Sequence, residues 1–244
     1  MPHALRRAAL LSQRGEEVVH GFTTRHDGLG GRLDLGTEAT PESWARATAL
    51  LGLPGAAVAR VRQVHGAVVH KVDEGGVPGD GDALVTNRRG LVLAVRMADC
   101  VPVLMVLGSP AVAIGAAHAG WRGVAAQVLP ATVAALREYG PGLPIHAVIG
   151  PAICGAHYEV GEEVVAAICA TGVPESVFVA RLPGRPRPLA DVRAAARWQL
   201  SKLAVHVDPI ERLSDCTFED PHLWSHRRDG ARRGTLAGLL AMVP

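Results

Sequence analysis

Three strand-sized runs, Leu91–Arg96, Val101–Leu107 and Ala111–Ala117, follow one another with only short breaks and are apolar at nearly every position. A strand with one wet face alternates apolar and polar residues, so a continuous apolar run implies cover on both faces. The chain must therefore build buried sheet flanked by other layers. With 244 residues, 48% of them hydrophobic, it has ample material for such a core and is not a disordered chain. No apolar run reaches the ~18 residues of a membrane helix.

The other elements support this reading. Strands are expected at Glu17–Thr23, Ala57–Val64, Ala67–Val72, Ala83–Thr86, Ile145–Ile149 and Val207–Leu213. Thr40-Pro41 predicts a capped helix start, and Gly52 its end. A helix from Gly120–Gly123 to Tyr139 should be kinked or divided at Pro130. Further helices are expected over Glu159–Ala170, with Gly172 behind it, and from Asp191 to about Ala204. Strands outnumber helices and come in groups rather than in βαβα alternation. The expected class is α/β (α+β), mixed sheets flanked by helices, in one domain over residues 1–244.

The formal net charge is only +2, which gives no field for nucleic acid. Cys100, Cys154, Cys169 and Cys216 are few and scattered, without a Cys-x-x-Cys, and read as reduced thiols. The start, Met1-Pro2-His3-Ala4-Leu5-Arg6-Arg7, leads into no apolar h-region, so a cytoplasmic setting is expected.

Three places carry chemistry: Gln63-Val64-His65-Gly66, Met97-Ala98-Asp99-Cys100-Val101-Pro102 and Ala117-His118-Ala119-Gly120-Trp121-Arg122-Gly123. Each sets a His or Cys at a strand end beside a strand-breaking residue. Separations of 35 and 18 residues are too long for a zinc finger but suit ligands delivered to one rim by neighbouring strands. Two imidazoles and a thiolate leave a fourth tetrahedral position open, the catalytic zinc pattern. The same residues also allow a Cys100–His118 nucleophilic pair oriented by Asp99 or Gln63. Singly, each has a plain structural reading as core histidine or small buried hydrophobe.

The glycine turn bearing Arg122 enters a helix and could hold a phosphate or carboxylate, although taken alone it reads rather as a plain helix start with a solvated arginine. Ser225–Gly234 is a second basic segment, either a solvated or acid-paired turn or a set of anion donors folded over the rim. His222 and His226 stand at helix-face spacing without the Glu of a His-Glu-x-x-His motif. Cys154 and His157 form another local pair, and Cys169 reads as packing.

Gln63-Val64-His65-Gly66, Ala98-Asp99-Cys100-Val101-Pro102, His118-Ala119-Gly120-Trp121-Arg122-Gly123, Gly150-Pro151-Ala152-Ile153 with Tyr158-Glu159-Val160-Gly161, and Arg227-Arg228-Asp229-Gly230 occur in this order. Together they resemble the YfiH-type family, also called laccase-domain or multicopper polyphenol oxidase-like, and peptidoglycan editing factor. The likeness runs from His20-Gly21-Phe22-Thr23-Thr24-Arg25 almost to the C-terminus. It implies an α/β fold like the cysteine-hydrolase domain of a cytotoxic necrotizing toxin. It also implies a purine nucleoside phosphorylase acting on adenosine, inosine and methylthioadenosine with phosphate, and deaminating adenosine. Zinc would lie at His65, Cys100 and His118. Three departures, Asp27-Gly28, Asp34-Leu35-Gly36 and Leu223-Trp224-Ser225-His226, fall on sugar or base contacts and spare the metal trio.

Under that reading His65, Cys100, His118 and Asp99 are the catalytic set, Asp99 as a proton-handling or ligand-orienting group. Gln63, Arg122, Arg25 and Arg228 bind substrate. The partners are purine nucleosides and phosphate, with neither nucleic acid nor membrane. A multicopper cluster needs many imidazoles, typically in His-x-His pairs, and the chain has no such pair, so copper oxidase activity reads as copper occupying a zinc site in vitro. The alternatives are a Cys100–His118 amidohydrolase acting on peptidoglycan precursors and a non-enzymatic scaffold with a closed four-ligand site.

Overall fold

The computed structural model describes residues 4–6, 17–207 and 216–244. Among these, the strands are β1 (Leu5–Arg6), β2 (Val18–Thr23), β3 (Val58–Arg60), β4 (Val69–Lys71), β5 (Ala83–Thr86), β6 (Val92–Met97), β7 (Val101–Leu107), β8 (Ala113–Ala119), β9 (Ile145–Ile149), β10 (Val179–Ala180), β11 (Leu189–Ala190), β12 (Val205–Val207) and β13 (Leu236–Met242). The helices are α1 (Pro41–Leu51), α2 (Trp121–Ala125), α3 (Val128–Arg137), α4 (Glu162–Cys169), α5 (Glu175–Phe178), α6 (Val192–Lys202) and α7 (His226–Asp229).

Two large mixed sheets result. One has the order β1-β2-β13-β6-β3 and the other β12-β9-β7-β8-β5-β4, while β10 and β11 form a small ribbon. The period-2 geometry of β7 explains its unbroken apolar run. Val101, Val103, Met105 and Leu107 pack with Leu129, Val133, Leu136, Ile168 and Leu200 of the helices. Leu104 and Val106 point the other way and meet Phe22, Leu93, Val95 and Leu240 of the opposite sheet. The far face of that sheet packs Ala94, Ala237 and Leu239 on Trp44, Ala47 and Leu51 of α1. The layers are therefore helix, sheet, sheet and helices, the mixed α/β architecture expected.

The local signals act as written. The Thr40 side chain accepts from the Ser43 N–H at 3.3 Å, Pro41 opens α1, and Gly52 closes it at φ 93°. Asp191 accepts from the Ala194 N–H at 3.1 Å and caps α6.

Several expectations need correction. The helix expected from Gly120 to Tyr139 is two helices, divided at Gln127, whose φ of 63° is left-handed. Pro130 lies in the first turn of α3, where its missing N–H leaves no bond unmade. Of Ala57–Val64 only Val58–Arg60 is strand. The Ala111–Ala117 strand is shifted to Ala113–Ala119, so His118 lies inside it and not beyond its end. The Glu159–Ala170 helix is shorter, Glu162–Cys169. The strand expected at Val207–Leu213 is β12, ending at Val207, and the rest of that span lies outside the described residues.

What positions the site is the way the chain changes sheets. It passes from β6 in one sheet to β7 in the other through Ala98, Asp99 and Cys100. It passes likewise from β3 to β4, across the segment that holds Gln63 and His65. The Gln63 amide joins the two crossings, donating to the Arg96 carbonyl and accepting from its N–H, both at 2.8 Å.

Candidate metal centre

His118 lies on β8 opposite Pro102 of β7, which brings its buried ring beside Cys100 at the start of that strand. His65 arrives from the other crossing. One ligand atom from each of His65, Cys100 and His118 lies within 4.8 Å of the other two. The His65 Nε2 to Cys100 Sγ distance is 3.9 Å, and the two imidazoles meet edge to face at 4.8 Å. A Cβ on Gly120 would sit 2.8 Å from Cys100 Sγ, so the glycine keeps this space open.

Asp82, which sequence reasoning missed, organises the cluster. Its fully buried carboxylate accepts from the N–H groups of Val64, His65 and Gly66 at 3.3, 3.0 and 2.6 Å. It also lies 2.8 Å from His118 Nδ1, which leaves His118 Nε2 for an ion. A carboxylate behind a ligating histidine fixes the ring and its tautomer. The same contacts hold His65 at a φ of 60°, a left-handed conformation unfavourable for a residue with a Cβ. The one available signal was an acidic residue directly before the β5 run, and it gave no hint of its partners.

The electrostatics follow from this packing. Burial opposes ionisation of Cys100, but His118 and His65 outweigh it and draw the thiol down to about 6. Burial likewise opposes charge on His118, yet Cys100 and Asp82 raise it to about 9. Burial would raise Asp82, but the hydrogen bonds from His118 and Gly66 hold it below the usual carboxylate value. Cys100 and His118 thus each favour the charged form of the other. The donor set of two nitrogens and one sulfur suits zinc and leaves a position free for water or substrate.

The cluster opens on a cavity of about 550 Å³, a volume suited to a small-molecule ligand. Gln63 and Arg96 line it beside the three ligands, with Arg32 and Arg233 contributing further positive charge. Arg96 Nε is buried and has no hydrogen-bond partner among the described residues.

The remaining expected site residues lie elsewhere. Both Asp99 oxygens are occupied, accepting from the Thr217 hydroxyl at 2.5 Å and the Arg227 N–H at 2.6 Å. The Arg25 guanidinium stacks on Trp224 at 4.1 Å and donates to the Pro221 carbonyl. Arg122 is exposed and stacks on Trp121 at 4.4 Å. Arg228 is turned inward. Its donors go to the carbonyls of Thr217, Phe218, Asp220 and Leu223 and to both Asp229 oxygens, which leaves none for an anion. It is an acid-paired clamp, and anion binding by Arg228 does not fit this geometry. Among the described residues, His222 pairs with His26 at 3.0 Å and not with His226.

A profile of the family described as "Multi-copper polyphenol oxidoreductase laccase" matches residues 19–243. The chain belongs to this YfiH-type, laccase-domain family. Curated relatives include a Deinococcus radiodurans protein named purine nucleoside phosphorylase, 37% identical over 92% of this chain and 89% of its own length. A Streptomyces coelicolor protein of the same name is 40% identical, covering 89% and 93% respectively. Among solved structures of the family, YlmD from Geobacillus stearothermophilus superposes with a TM-score of 0.79 at 27% identity, covering 100% of both chains. A Neisseria meningitidis structure gives 0.74 at 33% identity, covering 93% of this chain and 95% of its own.

Proposed function

We propose that this member of the family is a zinc-dependent purine nucleoside phosphorylase that also deaminates adenosine. The observation that carries the reading is the convergence of His65, Cys100 and His118 on a cavity of about 550 Å³. The names of the relatives supply the substrate class. The donor set fits zinc, which when bound supplies Lewis acidity and lowers the pKa of water.

The chain's own residues do the rest. Asp82 keeps His118 oriented and His65 in place. Gln63 fixes the Arg96 backbone, and Asp99 braces the turn before Cys100, so both are positioning residues. Arg96, with its unpartnered Nε, offers a buried donor for phosphate, and the exposed Arg233 and Arg32, the latter stacked on Trp224 at 4.5 Å, add positive charge at the cavity. They take over the anion-binding part that the sequence reading gave to Arg228, whose donors are all used within the fold. Glu38, also on the cavity wall, offers acceptors for sugar hydroxyls.

The test is incubation of purified protein with adenosine and phosphate, with and without a chelator. Free adenine and ribose-1-phosphate, with some inosine, are expected only when metal is retained. Absence of products from metal-loaded protein would overturn the proposal.

A second reading has one observation in its favour. Asp82, His118 and Cys100 form a carboxylate–imidazole–thiol sequence with a thiol drawn down to about 6, the arrangement of a thiol hydrolase. It predicts chelator-resistant hydrolysis of a peptide-like amide that alkylation of Cys100 abolishes.

A further inference from the structure

A second group of ligand-type side chains lies away from the cavity, where the chain leaving β9 runs beside the segment from Cys216. Ala152 and Cys216 pair as an isolated parallel bridge, and the Thr217 N–H donates to the Ala152 carbonyl at 3.2 Å. Two tight turns then face each other. In one, the His157 N–H closes on the Cys154 carbonyl at 3.1 Å; in the other, the Glu219 N–H closes on the Cys216 carbonyl at 3.1 Å. Each turn therefore presents a cysteine and, three residues on, a second metal-ligating side chain.

The side chains converge. Ligand atoms of Cys154, Cys216 and Glu219 all lie within 4.8 Å of one another, with Cys154 Sγ 3.9 Å from Glu219 Oε1. His157 Nε2 lies 2.7 Å from that oxygen, and the ring is stacked on Phe218 at 4.6 Å, so the imidazole pins the very oxygen that faces Cys154. The Cys154 N–H donates to Cys216 Sγ at 3.2 Å, the kind of hydrogen bond that stabilises charge on a thiolate sulfur. Two sulfurs and an oxygen favour a borderline-soft divalent cation over calcium or magnesium.

We propose that Cys154, Cys216 and Glu219 bind a second zinc ion, with His157 as the residue that orients Glu219. The site is a clip. It fastens the exit of β9 to the Cys216–Glu219 turn, whose Thr217 hydroxyl donates to Asp99, the neighbour of Cys100. Zinc at this clip braces the wall of the first cluster without entering the cavity.

The experiment starts from the full chain carrying His65→Ala and His118→Ala, which removes two ligands of the first cluster. The reduced, chelator-stripped protein is equilibrated with zinc, and bound metal is counted by plasma mass spectrometry. One zinc per chain is expected, and adding Cys154→Ser or Cys216→Ser should abolish it. His157→Gln should weaken binding by roughly 10–100-fold in chelator competition, as loss of an orienting partner does. Should the cysteine variants fail to fold, cobalt replaces zinc in the starting protein, where a near-ultraviolet thiolate-to-cobalt charge-transfer band is expected. The proposal is overturned by no bound zinc in that background, with the thiols free or joined as a disulfide two hydrogens lighter. Zinc retained after both cysteines are replaced, or cobalt bound without the thiolate band, overturns it equally.

Discussion

Among the described residues there are two thiol clusters built from similar residue types, and their surroundings set them apart. Around Cys100 the neighbours are two imidazoles, a buried carboxylate one step behind, and a cavity. Around Cys154 they are a second thiol and a carboxylate, away from that cavity. The consequence is visible in the thiols themselves. Cys100 is drawn down to about 6, whereas burial and the neighbouring Cys216 push Cys154 up to about 11. On the readings proposed above, position decides what such a cluster is for: the first would present a free coordination position to a substrate-sized space, and the second would tie two turns together.

The largest expected effect separates the clusters by activity. Cys100→Ser or His118→Ala should reduce nucleoside phosphorolysis to background, while Cys216→Ser should retain turnover and lower the melting temperature. Each kcal/mol lost from a chain of this size shifts the midpoint by roughly 2–4 °C. Loss of turnover in Cys216→Ser at a temperature where it stays folded would erase the distinction.

The next effect concerns Asp82. Asp82→Asn should lower zinc affinity at the first cluster, or activity, by roughly 10–100-fold, as removal of a group behind a histidine ligand does. Zinc held through Cys154 and Cys216 should be unaffected, which titration with a competing chelator checks.

Gly120→Ala is expected to act more gently. The added methyl would meet Cys100 Sγ at 2.8 Å, and overpacking of this kind costs about 1–3 kcal/mol. It should weaken metal binding at the first cluster and leave the second intact, readable from zinc stoichiometry at limiting metal.

The smallest effect is in pH dependence. The thiolate is the form that alkylates, so a lowered pKa moves reactivity to lower pH. In metal-free reduced protein, iodoacetamide should modify Cys100 with a midpoint near pH 6 and Cys154 only at strongly alkaline pH. Equal midpoints followed by peptide mass spectrometry would contradict the electrostatic contrast.

The two clusters were not equally legible in the sequence. His65, Cys100 and His118 each stand beside a strand-breaking residue, and although His65 falls in the crossing beyond β3 and His118 inside β8, they gather where the chain changes sheets. Their convergence could be argued before any coordinates. Asp82 could not be found this way, because its role depends on backbone N–H groups that carry no sequence mark. Arg228 could not be placed for a similar reason: whether a guanidinium faces a cavity or folds inward, as Arg228 does, depends on carbonyls that loops happen to expose. In the fold, uninterrupted apolar runs gave β7 and β8 because both faces are buried. Leu236–Met242, a central strand of its sheet, went unnoticed because Leu, Ala, Gly and Met lack the β-branched character that marks strands. Cys154 and His157 were legible as a pair, but their partners lie about 60 residues away and only tertiary packing joins them.

Zinc-edge anomalous diffraction from crystals of the zinc-loaded chain is the most direct measurement of the central claim. A strong peak within coordinating distance of His65 Nε2, Cys100 Sγ and His118 Nε2, facing the Gln63 and Arg96 side of the cavity, is the expected result. A map with no anomalous density between those three atoms, at a zinc concentration where the protein turns over adenosine, would contradict it.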